Sequence, residues 1–224
     1  MKAFRVDLDN EKNQNILKPS VHPFNHQAHQ VNEVAKKIYE LIKGAKHPND
    51  GIILNHNEIK EAFFSPFKPQ LKNTQVFLSH SHADRNKALK VKDYLESETN
   101  HRVFIDSLFW DYKDDVLNEL AKYDDTSKIK DAFTLILRES LQDMIEECPY
   151  FVFLESKNSV SNQGLSCITY SAWIYEELKI AHSISSKSCL TIAMESFQIS
   201  YDISPFLKSL KTITLSELSH IINS

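Results

Sequence analysis

Three short apolar runs, QVFLSHS (75–81), RVFID (102–106) and YFVFLE (150–155), alternate with segments of helical periodicity, and this alternation constrains the fold more than any other feature. YFVFLE is apolar throughout, as expected of a strand covered on both faces. The helix ADRNKALKVKDYLESE follows the first run, and helical pieces at about 114–123 and 128–147 precede the third. The longer piece carries Phe133, Ile136, Leu141, Met144, Ile145 and Cys148 at helical spacing. Further strands are expected at CLTIAM (189–194) and KTITL (211–215), with a short helix, ISPFLKSL, between them and a closing helix capped by Ser216. Strands separated by helices imply a parallel sheet with right-handed crossovers and helices on both faces. Such sheets bind ligands beyond the carboxyl ends of their strands, here the stretches SHS, DSLFW and ESKNS.

The first 70 residues read differently. A polar leader precedes QAHQVNEVAKKIYELIKGA, whose Val31, Val34, Ile38, Leu41 and Ile42 form a helical stripe ending at Gly44. NHNEIKEAFF reads as a second short helix, stopped by the prolines of SPFKPQ. Residues 1–70 are therefore expected to be a small N-terminal helical extension, and 71–224 the main domain. Two short helices bury little by themselves, so the extension should pack on the main domain or on a partner.

Composition narrows the function classes. The formal net charge of −4 gives no electrostatic pull toward nucleic acid or an anionic membrane. No apolar run approaches the roughly 18 residues of a membrane span, and the opening MKAFRVDLDNEKNQN is no signal peptide. Cys148, Cys167 and Cys189 are widely spaced, which points to reduced thiols and a cytoplasmic protein. With glycine only at 44, 51 and 164, neither a P-loop nor a GxGxxG loop can be written. His22, His26 and His29 have helical spacing, but Pro23 interrupts it and no cysteine or fourth ligand is near, so no metal is expected.

One charge is out of place. In SAWIYEELKIA (171–181) the apolar positions Trp173, Ile174, Leu178 and Ala181 fill one arc of the helical wheel, and Glu177 falls near its centre. Glu176 lies outside that arc and Lys179 on the opposite side. A carboxylate on an apolar face must be paired, protonated or used. From position alone, a structural pair with a cation and a functional role both remain open.

The segments VFLSHSHAD, VFIDSLFW, YFVFLES and SAWIYEEL occur in the order and approximate spacing of a TIR (Toll/interleukin-1 receptor) domain, which residues 74 to 216 resemble. Phe77, Leu78, Ser79 and His80 match the end of that family's first strand, and Trp173 with Glu177 matches the helix that carries the catalytic glutamate in its enzymatic members. The second loop, FIDSLFWDYKDD, is closer to bacterial anti-phage TIR proteins such as those of Thoeris, and lacks the Pro-Gly loop of receptor adaptors.

The resemblance implies a flavodoxin-like five-stranded parallel sheet, and cleavage of NAD at the nicotinamide–ribose bond. NAD would be a substrate and not a recycled cofactor. Bacterial antiviral defence, an ADP-ribose-derived or cyclic signal, a separate effector sensing it, and homo-oligomer formation on activation are implied with it. The resemblance assigns Glu177 the catalytic role. Ser79, His80 and Ser81 could contact ribose or phosphate, or simply form a strand-end turn. Asp106 and Trp110 lie on the second loop, where Trp110 could stack on a base or pack against the helix, and Trp173 would shape the pocket floor. Asp84 reads as an N-terminal helix residue favoured by the helix dipole. The rival readings are a non-catalytic TIR self-association scaffold and an N-deoxyribosyl transferase.

Overall fold

The computed structural model describes residues 1–17, 28–44, 55–65, 72–105, 107–122, 127–163, 166–186 and 200–224. Among them the strands are β1 (Lys2–Asp7), β2 (Thr74–Ser79), β3 (Arg102–Ile105), β4 (Tyr150–Glu155), β5 (Ser161–Gln163), β6 (Ser166–Thr169), β7 (Tyr201–Asp202) and β8 (Lys211–Thr212). The helices are α1 (Glu11–Ile16), α2 (Ala28–Gly44), α3 (His56–Phe64), α4 (Arg85–Thr99), α5 (Ser107–Leu120), α6 (Ser127–Glu147), α7 (Ala172–Ser186), α8 (Ser204–Ser209) and α9 (Leu215–Ile222). A 3₁₀ turn, His82–Asp84, leads into α4. No helix among the described residues is long and apolar enough to cross a membrane.

The chain divides into two compact units, one of residues 1–21, 73–106 and 141–224, the other of residues 22–72 and 107–140. The first unit is α/β. Its sheet has five parallel strands in the order β3-β2-β4-β1-β8, flanked by helices. Phe104, Phe77 and Phe151 lie side by side across β3, β2 and β4, the last two rings stacked at 5.8 Å and 9°. Burial of such apolar side chains supplies most of the driving force for a sheet of this kind, about 1.5–3 kcal/mol for each. A separate small antiparallel sheet has the order β5-β6-β7.

Two expectations about this unit change. The expected strands at 75–81, 102–106, 150–155 and 211–215 correspond to β2, β3, β4 and the shorter β8, whereas 189–194 lies outside the described residues. The fifth strand is β1, taken from the stretch read as a polar leader, and it pairs in register from Lys2 with Tyr150 to Asp7 with Glu155. Its alternation explains both the strand and the misreading. Phe4 and Val6 are buried, while Arg5 and Asp7 on the other face stay half-exposed, so the segment reads as polar on average. Arg5 is held there by Thr212 Oγ1, at 2.9 Å from Nη2, and by Glu155, at 3.2 Å from Nε. The cap of α9 also moves. Thr214 Oγ1 accepts from the Glu217 amide, and the Glu217 carboxylate accepts from the Thr214 amide, a capping box that displaces Ser216 into the helix.

The second unit is helical. It contains α2, α3, α5 and the residues of α6 through Ser140. Asn55 caps α3 by accepting from the Asn57 amide at 3.0 Å. The ring of Phe63 meets Phe64, Tyr112 and Phe133 at 5.0–5.1 Å, and the Tyr112 hydroxyl donates to the Phe63 carbonyl. Burial pushes the Tyr112 phenol well above its ordinary pKa. Helices this short gain their stability from such mutual packing. β1 belongs with the sheet unit, and α2 and α3 group with residues 107–140. The stretch SLFWDYKDD, expected as a loop, opens α5.

Candidate functional site

Because the five strands are parallel, their carboxyl ends share one edge, and the segments leaving them carry the polar side chains. Strand β2 is apolar from Val76 to Leu78 and ends at Ser79, whose Oγ donates a hydrogen bond to Glu177 Oε2. Both residues are fully buried, each at 0% exposure. The wheel's placement of Glu177 on an inward arc therefore agrees with the structure, and the residue touching it is one of the strand-end serines singled out from sequence. A hydroxyl–carboxylate hydrogen bond is among the stronger kinds, and it orients the carboxylate. A polar group so enclosed must be paired or hydrogen-bonded.

Around this contact His80 is buried, Ser81 is half-buried at the start of the 3₁₀ turn, and Trp173 is half-buried one helical turn before Glu177. Asp106, and the side chain of Trp110, lie outside the described residues, as do His22 and His26 and the side chain of His29. Among the described residues, no group of three or more His, Cys, Asp or Glu is arranged to hold a metal ion.

Glu176 differs from expectation. It is buried, and Lys179, one turn on, lies 3.5 Å from it. Helix α7 packs against β1, β6 and α8, so more than one of its faces is covered. Tyr175 stacks on Tyr201 at 4.9 Å on this covered side.

Asp84 stands where the sequence placed it, at the N-terminus of α4, but its side chain has partners that the sequence did not name. It makes no side-chain capping bond to α4. Its carboxylate is 1% exposed and accepts from Ser156 Oγ and from Asn158 Nδ2, the latter at 2.9 Å, both in the turn after β4. Lys87 Nζ lies 3.5 Å from Asp84 and 3.0 Å from Asp9, which follows β1. The Lys157 backbone N–H and then the Lys87 ammonium hold Asp9 below the usual carboxylate range. Burial opposes the charge on Lys87, but its hydrogen bond to Asp9 and the nearby Asp84 charge outweigh that and raise its pKa. The only advance signal was the density of hydrogen-bonding residues in SKNS, which names no partner.

Beyond the ends of β1 and β4 lies a cavity of about 470 Å³ lined by Asp7, Asp9, Glu155, Ser156, Lys157 and Asn162, among others. Burial, reinforced by the Asp7 charge, raises the Glu155 pKa despite the opposing Arg5. A carboxyl with a raised folded pKa binds its proton more tightly in the native state. Its contribution to stability is therefore greatest at low pH and declines as pH rises from the ordinary 4.5 through the folded value. Glu155→Gln removes that decline, so at pH 7 the variant should melt at or above the wild-type temperature, with a flatter profile between pH 4 and 7. A lower melting temperature at pH 7 would show that the Arg5 pair outweighs burial.

In comparisons with known proteins, the chain matches no family model, no curated protein and no solved structure.

Proposed function

We propose that this protein is a TIR-type NAD glycohydrolase or cyclase, with Glu177 as its catalytic carboxylate. The observation that carries the reading is the buried hydrogen bond between Ser79 and Glu177 at the carboxyl edge of a parallel sheet. Glu177 is the residue to which the TIR resemblance assigns catalysis, Ser79 belongs to the strand end that matches that family, and the two come from segments 98 positions apart.

The chemistry suits a single carboxylate. Breaking the nicotinamide–ribose bond leaves the bonding pair on nicotinamide, which departs as a neutral base and needs no acid. Positive charge develops on the ribose, and a carboxylate in a low-dielectric setting stabilises it or traps it covalently. Water then completes hydrolysis to ADP-ribose and releases a proton, whereas attack by the adenine ring gives a cyclic product. Ser79 keeps the carboxylate oriented before substrate enters. A role in bacterial antiviral defence, through NAD loss or a nucleotide signal to a separate effector, belongs to the same proposal, as does assembly into homo-oligomers on activation.

The test is product identification after incubating concentrated protein with NAD. Nicotinamide together with ADP-ribose or its cyclic isomer is the expected result. If the assembled protein releases no nicotinamide, the enzymatic reading fails and a scaffold role replaces it. Turnover of deoxynucleosides but not of NAD would instead identify an N-deoxyribosyl transferase.

A further inference from the structure

We infer that Asp84 is a positioning residue for the Glu177 site, acting through Ser79; the kinetic part of this inference rests on the NAD-cleaving reading above. The path from Ser79 to Asp84 is short and fastened at both ends. At one end Ser79 donates to Glu177, and at the other the Asp84 carboxylate accepts from Ser156 and Asn158. Between them His80 is buried, and the Asp84 amide closes the 3₁₀ turn by donating to the Ser81 carbonyl at 2.8 Å. A shift of Asp84 is therefore transmitted along a segment with little slack.

The partners of Asp84 are themselves fixed. Ser156 donates its amide to Ser159 Oγ at 2.8 Å, and its hydroxyl oxygen accepts from the Asn158 amide at 3.0 Å. Lys87 spans Asp84 and Asp9, so the segment leaving β1 is tied through this ammonium to the carboxylate that joins the segments leaving β2 and β4. An ionised carboxylate only accepts, and it faces two donors and an ammonium group, whereas an amide would set its own donors against them. A buried charge of this kind contributes little net stability relative to an apolar contact of equal volume. What distinguishes it is a single defined geometry, here one that sets where Ser79 meets Glu177.

A double-mutant cycle tests the coupling. Asp84→Asn should lower kcat for nicotinamide release about tenfold or more, with KM changed less than about twofold, because sub-ångström misplacement falls on the chemical step. In the Ser79→Ala background the same substitution should change kcat by no more than about twofold, since the transmitting side chain is gone. A merely structural role would give independent losses in the two backgrounds, and that result overturns the inference.

Amide hydrogen exchange supplies a readout that needs no activity. Asp84→Asn should speed exchange across 79–84 and 156–160 by about tenfold, with α9 unchanged. Unchanged exchange at 79–84 also overturns the inference. If the wild-type protein releases no nicotinamide, the NAD reading fails by itself and the exchange result still decides the positioning claim. Should Asp84→Asn not fold, Asn158→Ala removes one donor at an exposed position and takes its place in both measurements, with an expected kcat loss of about threefold.

Discussion

Glu177→Gln is expected to lower nicotinamide release from NAD by about 10²–10³-fold or more, the range seen when a preorganised electrostatic group is removed from a developing charge. The substitution preserves shape. The Gln oxygen can still accept from Ser79, so the contact between β2 and α7 survives while the negative charge is lost. It also relieves the cost of keeping a carboxylate at a fully buried position, so the melting temperature should hold or rise. Glu177→Ala separates the two effects. It abolishes activity as well, but leaves the buried Ser79 hydroxyl without its acceptor, at about 1–3 kcal/mol of stability. Activity and melting temperature measured on both variants check the prediction. Full turnover by a folded Glu177→Gln protein would sink the assignment of this residue.

Removing residues 1–8 is expected to prevent folding of the sheet unit. β1 lies between β4 and β8, and its loss leaves the ladder of β4 unpaired on one side and β8 without its neighbour. Phe4, Val6 and Leu8 are buried, each contributing about 1.5–3 kcal/mol by leaving water. Domains of this size are stable by only about 5–15 kcal/mol in total. Val6→Asp is the minimal version: an unpaired carboxylate at a fully buried central-strand position, costing about 3–5 kcal/mol. Circular dichroism and thermal melting check both variants. A truncated chain that still melts cooperatively at the wild-type temperature would show that β1 is dispensable, as a helical N-terminal extension would have been.

The contrast between these two experiments marks what was legible. Strands β2, β3 and β4 are short apolar runs, and α7 is an apolar stripe with a carboxylate in it; both patterns are local and repeat with the geometry of the element that forms them. The inward placement of Glu177 followed from that periodicity alone. So did the α/β class, because helices between strands leave a parallel sheet as the economical solution. β1 escaped because a strand with one half-exposed face, carrying Arg5 and Asp7, has the average polarity of a leader. The burial of Glu176 escaped because a helical wheel shows one helix and not what covers its other faces.

Sequence by itself determined that Glu177 faces inward and the type of most of the elements, since both depend on neighbours within a few residues. Only the tertiary structure decided that β1 joins the sheet beside β4, that Ser79 is the group facing Glu177, and that Asp84 is bound by Ser156 across 72 positions. Those pairings link segments whose separation no local period encodes. They exist because buried hydrogen-bonding groups must find partners wherever the fold brings them.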